Sequence, residues 1–350
     1  MDDAATAWLV GRLSSSPPLS LDAAIRLARG RCARAEHVTV AVGSTGPAAA
    51  VRDALLALKI CGVARLRRVW PPSSLDAIAT ASRREFDSFR AERTAGNASS
   101  SGRKATTKGV ERWRGRFEAQ VRWGRPFDDP ALTAQPRLLA LLQAALGSAR
   151  IEIDTFTQIT SVGGADPQPW HADVGPLWTN GRAEAAGGFG AGQRPPHGFV
   201  AVVPLLNVTL GSGPTAFQPA SHFLPPVDGA SWWADRDGGA SPTGTLSDLT
   251  ADVGDVVVFD LRLRHRGGRN RSPHPRPLLY MSYVLDWFQD PLNFAPAHSA
   301  RFDELTRRQM KLFSRLDHRQ HVAELRRAAA RGGEAVGESS YAFEQHSLAL

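Results

Sequence analysis

The chain has 350 residues, of which 42% are hydrophobic and 22% charged, a balance that excludes a collagen-like, wholly disordered or membrane-embedded polypeptide. No apolar run nears the roughly 18 residues of a membrane span. The opening Met-Asp-Asp-Ala lacks a basic start followed by an apolar core, so no secretory signal is expected. The net charge of +8 invites nucleic acid as a partner, yet lysine contributes only Lys59, Lys104, Lys108 and Lys311 to the 42 basic residues. Arginines scattered along an alanine-rich chain point to biased composition rather than to a face built for polyanions, and nucleic acid is not expected. Cys32 and Cys61 are too few for a disulfide framework or a cysteine zinc site. They read as small buried hydrophobes in an intracellular, cytoplasmic protein.

Residues 1–60 read as an N-terminal helical extension. Ser20 stands as N-cap before Leu21, Ala24, Ile25, Leu27 and Ala28, with Gly30 closing the turn. His37–Val42 alternates like a short strand, and Pro47 opens a helix that ends near Cys61-Gly62. A strand at Val63–Val69 follows, then a helix started by Pro71-Pro72-Ser73-Ser74 and carrying Leu75, Ile78, Phe86 and Phe89. Residues 94–109 form a low-complexity flexible loop. Asp128-Asp129-Pro130 caps a helix that presents Leu138, Leu139, Leu141, Leu142 and Leu146 before Gly147. From Ile151 to Phe288 the pattern changes to short β-branched runs: Ile151–Ser161, Val200–Leu210, Thr215–Gln218, Asp255–Asp260 and Leu278–Leu285 read as strands. So many short strands between Gly, Pro, Asn and Asp indicate a sandwich, barrel or jelly roll. Residues 179–199 are a second flexible loop, and 295–350 return to a helical tail through Phe302, Leu305, Leu312, Phe313 and Leu316.

Metal-binding residue types gather in the β-rich half. In extended chain His171 and Asp173 of His171-Ala172-Asp173 point the same way and can face one ion. A third ligand is needed from elsewhere, and His222, His265 and His274 are the candidates. Only His265 combines the end of a buried-strand pattern, Gly254-Asp255-Val256-Val257-Val258-Phe259-Asp260, with an arginine eleven residues on at the start of the returning strand. Two histidines and one carboxylate make the facial triad of non-haem Fe(II), which leaves three coordination positions for reagents. Arg276 is placed to grip the far carboxylate of a 2-oxo diacid with two parallel hydrogen bonds.

The ordered set of His171-Ala172-Asp173, Gly213-Pro214-Thr215-Ala216-Phe217-Gln218-Pro219-Ala220-Ser221-His222, Gly254–Asp260, His265 and Arg276 resembles the phytanoyl-CoA dioxygenase family of Fe(II)/2-oxoglutarate oxygenases. The likeness runs over roughly residues 60–294 and includes Asp286-Trp287-Phe288. It implies an α+β chain with a double-stranded β-helix (jelly-roll, cupin-like) core at 61–294 between N- and C-terminal helices. It also implies His171, Asp173 and His265 on iron and Arg276 on the C5 carboxylate of 2-oxoglutarate, with O2 as co-reactant and ascorbate as stimulant. Gln158 and Thr155, on the strand before the metal pair, are placed as further cosubstrate contacts. Ser221 and His222 are expected to brace a turn, and Trp170 and Trp178 to serve as core or lid. Where the family carries Pro-Gly-Ser-His, this chain has Ala220, a residue that disfavours positive φ.

These expectations amount to a dioxygenase that hydroxylates a small organic metabolite and converts 2-oxoglutarate to succinate. Asp173 occupies the position that a halogenating relative leaves to a small residue, so hydroxylation rather than chlorination is expected. Two rivals are an iron oxygenase acting on nucleic acid and a catalytically silent binding domain of the same fold; the intact ligand set speaks against the second.

Overall fold

A computed structural model describes residues 21–41, 46–96, 110–121, 125–174, 195–223, 244–289 and 311–312. In chain order its elements begin with α1 (Leu21–Cys32), β1 (Thr39–Ala41), α2 (Pro47–Cys61), β2 (Val63–Arg67) and α3 (Asp76–Gly96). Next come β3 (Val110–Trp113), β4 (Arg116–Gln120), α4 (Pro130–Thr133) and α5 (Pro136–Leu146). The β-rich half supplies β5 (Ile151–Ser161), β6 (Gly198–Pro204), β7 (Thr215–Phe217), β8 (Val256–Asp260), β9 (His265–Gly267) and β10 (Arg276–Leu285).

Among the described residues, eight strands form one sheet in the order β1-β2-β8-β6-β10-β5-β4-β3, and β7 pairs with β9 in a second sheet. Every pairing is antiparallel except β1 with β2, which run parallel across the α2 crossover. This is the jelly-roll arrangement, an α+β fold in which the large sheet separates two apolar layers. Side chains alternate across a strand, so Ala201, Val203, Val256, Val258, Leu279, Met281 and Tyr283 face outward onto α2 and α5. Their neighbours Val200, Val202, Val257, Phe259, Leu278 and Val284 face inward, toward Phe217 of the small sheet. The inward layer is where a site can be enclosed.

Local chemistry sets the element ends. Pro47 supplies a preset φ at the first turn of α2, and Gly62 stops the helix in the left-handed conformation, φ 79°. The helix expected after Asp129 is two pieces, because Pro136 cannot continue α4; Gln135 instead caps α5, its side chain accepting from the N–H groups of Arg137 and Leu138. The strand expected over Val200–Leu210 ends at Pro204, which has no N–H to give the ladder.

Five points need correction or completion. The hairpin β3–β4 was not foreseen. Of the loop 94–109, residues 94–96 belong to α3 and the rest lie outside the described residues. Of the loop 179–199, Gly198 and Phe199 belong to β6, and 179–194 lie outside the described residues with Trp178. In the helical tail only Lys311 and Leu312 are described, both helical. The cysteines are buried as expected but not separate: Cys32 and Cys61 form a disulfide that ties the end of α1 to the end of α2.

Candidate active site

His171 and His265 are brought together by backbone pairing. Each donates its N–H to the other's carbonyl, at 3.0 and 2.7 Å, which sets the two imidazoles side by side with ring centroids 4.5 Å apart. Asp173 is fixed by its own N–H, which donates to the Leu261 carbonyl at 3.1 Å. Its carboxylate lies 3.5 Å from Nε2 of His265. One ligand atom from each of His171, Asp173 and His265 falls within 4.8 Å of the others, a spacing that a single ion can bridge.

The ring orientations fit that use. Nδ1 of His171 is 2.9 Å from the Pro169 carbonyl and Nδ1 of His265 is 3.0 Å from that of Leu263. A carbonyl can only accept, so Nδ1 carries the proton and Nε2 keeps its lone pair for a metal. Burial drives both imidazoles down to about 4, so they are neutral at physiological pH.

Two guanidiniums share the chamber. Arg276 opens β10 opposite Ser161 of β5, and Arg116 opens β4 opposite the same Ser161, so one row across three strands carries both arginines on the inward face. Arg276 is buried, donates from Nη1 to the Gly213 carbonyl, and leaves Nε without a partner. Arg116, equally buried, donates from Nε to the Asp166 carbonyl at 3.1 Å and from Nη2 to the Gly268 carbonyl, and leaves Nη1 without a partner. The buried Ser161 hydroxyl between them is also unpaired. Burial first, then the positive charge of Arg276, pulls Arg116 down to about 9. Buried donors left unpaired cost free energy, and two buried like charges add repulsion. An anion between them would relieve both. Tyr280, on the same face of β10, bonds to Thr215 and is held in its protonated form chiefly by burial. Val202, Phe217, Val257 and Leu278 line an apolar cavity that reaches Arg276.

Sequence reasoning missed Arg116. No signal marked it: with Glu118 two residues on, Arg116 reads as a surface arginine of a polar strand. Thr155 lies on the inward face of β5, in register with Ser282, near the middle of the strand and six residues before Ser161. Gln158 is not brought to the site. It sits opposite Leu279 on the outward face, where its side-chain amide donates to the Ser82 carbonyl of α3 and to Thr160. Ser221 braces a turn, accepting the Arg264 N–H at 2.8 Å, and His222 is buried against Gly62, away from the ligand cluster. His274 is exposed in the β9–β10 connection. Trp170 is a core residue with Arg266 stacked 4.6 Å over its ring.

This fold, with a His-Asp-His cluster beside buried arginines inside a jelly roll, defines a non-haem iron and 2-oxoglutarate-dependent type of enzyme. Residues 61–278 match the family described as phytanoyl-CoA dioxygenase, and the chain belongs to that family. Among solved structures it is similar to the epimerase SnoN in complex with Fe3+, alpha ketoglutarate and nogalamycin RO. That match has 18% identity, covers 73% of this chain and 98% of that one, and has a TM-score of 0.48. A second structure of SnoN, the non-heme alpha ketoglutarate dependent epimerase from nogalamycin biosynthesis, matches at 17% identity, 73% and 97% coverage and TM-score 0.49. HygX from Streptomyces hygroscopicus, with nickel and 2-oxoglutarate bound, matches at 16% identity, 68% and 89% coverage and TM-score 0.44. No helix among the described residues is long and apolar enough to cross a membrane.

Proposed function

We propose that the protein hydroxylates a small organic molecule, coupled to oxidative decarboxylation of 2-oxoglutarate to succinate, with Fe(II) held by His171, Asp173 and His265. The observation that carries this is the three-ligand cluster, its Nε2 atoms free of protons, in one chamber with two arginines that have unpaired donors. Asp173 offsets part of the cation's charge. Arg276 receives one carboxylate of the cosubstrate, and Arg116 supplies the second positive charge that a dianion needs. The Arg116 head lies against Gly267, two residues beyond the ligand His265, so it serves the metal side of the chamber. With both carboxylates gripped, the cosubstrate has one orientation, and the apolar wall of Val202, Phe217, Val257 and Leu278 keeps water from its chain. Iron, when bound, supplies the activation of O2. Thr155, on the inward face of β5, is a candidate substrate contact.

The test is succinate release by the purified protein across a metabolite panel with Fe(II), 2-oxoglutarate and ascorbate, with mass spectrometry of the product in chloride-containing buffer. A gain of one oxygen supports the proposal. A product of unchanged mass, or one that carries chlorine, overturns hydroxylation, and salt-sensitive binding of DNA or RNA would favour the nucleic-acid-directed alternative. Asp173→Ala removes a ligand and should abolish coupled turnover; unchanged turnover refutes the ligand set.

A further inference from the structure

Asp173 and His265 both lean on a single turn, and the turn is built around a buried ion pair. The connection between β8 and β9 runs Asp260-Leu261-Arg262-Leu263-Arg264-His265. Two of its carbonyls do defined work: that of Leu261 accepts the Asp173 N–H at 3.1 Å, and that of Leu263 faces Nδ1 of His265 at 3.0 Å. The conformation that presents them is closed by Asp260. Its carbonyl accepts the Leu263 N–H at 2.9 Å, and its Oδ1 accepts the Arg262 N–H at 2.9 Å.

The same carboxylate then takes the Arg262 side chain in a two-pronged grip, Nε to Oδ1 at 2.8 Å and Nη2 to Oδ2 at 2.7 Å. The remaining nitrogen, Nη1, donates to the Pro195 carbonyl at 3.3 Å, just before β6. From the other side the Asp260 N–H donates to the Gly62 carbonyl at 2.9 Å. The pair is deeply buried, with side-chain exposures of 3% for Asp260 and 15% for Arg262. A buried pair contributes little net stability over an apolar replacement. What this one does contribute is geometry, since no apolar residue could accept the turn's N–H and a guanidinium together.

Building on the metal site proposed above, we propose that Asp260 and Arg262 are positioning residues for the metal centre: they fix the turn whose Leu261 and Leu263 carbonyls orient Asp173 and His265. Groups behind metal ligands typically govern affinity by about 10–100-fold. Loss of Asp260 frees the Arg262 N–H and side chain, the turn relaxes, and both ligands lose their backbone partners together.

The experiment measures Fe(II) affinity anaerobically, together with the visible charge-transfer absorption of the Fe(II)–2-oxoglutarate complex, in folded parent and variant proteins. Asp260→Ala should bind Fe(II) about 10–100-fold more weakly and shift or lose the absorption. Asp260→Asn, which keeps an acceptor for the Arg262 N–H, should fall between Asp260→Ala and the parent. Ile153→Ala, a truncation of the outward core layer, should lower the melting temperature and leave Fe(II) affinity within about twofold of the parent. Should Asp260→Ala fail to fold, Arg262→Lys reads the same quantity, since it keeps the charge and loses the two-pronged grip. A folded Asp260→Ala or Arg262→Lys with parental Fe(II) affinity and absorption overturns the proposal. A parent that binds no Fe(II) overturns the metal site itself, and this proposal with it.

Discussion

Gly267 stands two residues beyond His265, and its inward face is occupied by the head of Arg116. A methyl group there would lie 2.5 Å from Nη1 of Arg116, 2.8 Å from its Cζ and 2.6 Å from Oε1 of Gln168. That is roughly 1 Å short of an ordinary contact. The backbone itself can accept alanine, since φ at Gly267 is not in the left-handed region. Gly267→Ala therefore tests space alone. Arg116 cannot swing freely, because its other nitrogens are tied to the carbonyls of Asp166 and Gly268. The guanidinium should be displaced by about 1 Å, a misplacement that costs a positioned reactant on the order of 100-fold. Overpacking should also cost about 1–3 kcal/mol of stability. Titration of 2-oxoglutarate into the metal-loaded protein, followed by calorimetry, should show affinity reduced by about 10–100-fold. Arg116→Ala should reduce it similarly, and the double variant should bind 2-oxoglutarate no worse than Arg116→Ala alone, because the methyl then meets only the end of the Gln168 side chain. Parental 2-oxoglutarate affinity in Gly267→Ala would refute a role for Arg116 in the cosubstrate chamber.

Arg276→Leu should weaken 2-oxoglutarate by about 2–5 kcal/mol, roughly 30-fold or more, with Fe(II) affinity little changed; equal losses of both would place the carboxylate grip elsewhere. The metal-free protein should lose stability as pH falls from about 6.5 toward about 4. Burial lowers His171, His197, His222 and His265 to about 4, so in that window the unfolded chain binds more protons than the folded one. Each contributes up to about 3 kcal/mol. His197→Phe should flatten the dependence, as read by urea unfolding at a series of pH values, and an unchanged slope would contradict it. Ala220 is held at φ 62°, so Ala220→Gly relieves left-handed strain of about 1–2 kcal/mol. It also gives up a buried methyl worth about 0.8 kcal/mol and adds unfolded-chain freedom of about 0.5–1 kcal/mol. Thermal unfolding should change by less than about 1 kcal/mol; a larger shift in either direction would mean the turn itself rearranges.

His265 and Arg276 were legible because they open strands that follow a β-branched run and a Gly-rich reversal, and His171 with Asp173 because a His-x-Asp pair stands after the Gly/Pro-containing turn that follows β5. The family likeness rested on the same positions. Gln158 was misplaced for a physical reason: nearly every position of β5 is buried, on both faces, so hydrophobicity carried no phase to say which residues point inward. Arg116 was illegible for the opposite reason. It is a charged residue at a fully buried position, in a five-residue strand that also carries Glu118 and Gln120, and such a pattern reads as surface. Asp260 looked like the last residue of a strand, because its partner Arg262 lies only two residues away and the pairing depends on a turn that spacing alone does not reveal. The disulfide depended on α1 and α2 packing end to end, which two cysteines 29 residues apart do not disclose.

The family likeness begins at Cys61, but the fold does not divide there. A chain shortened to residue 61 would lose Cys32 and with it a cross-link over 29 residues, worth about 3–4 kcal/mol by loop-closure entropy. It would lose α2, whose alanines and Leu58 cover the outward face of β8, and it would lose β1, leaving β2 as an open sheet edge ready to pair with another molecule. The cut would also fall beside the two carbonyls, of Cys61 and Gly62, that receive the N–H groups of Ala220 and Asp260. An expression boundary drawn at the edge of the family would thus produce a chain prone to self-association in which the turn behind Asp173 and His265 had lost its backing, and reducing agents would push the 350-residue chain part of the way toward the same state.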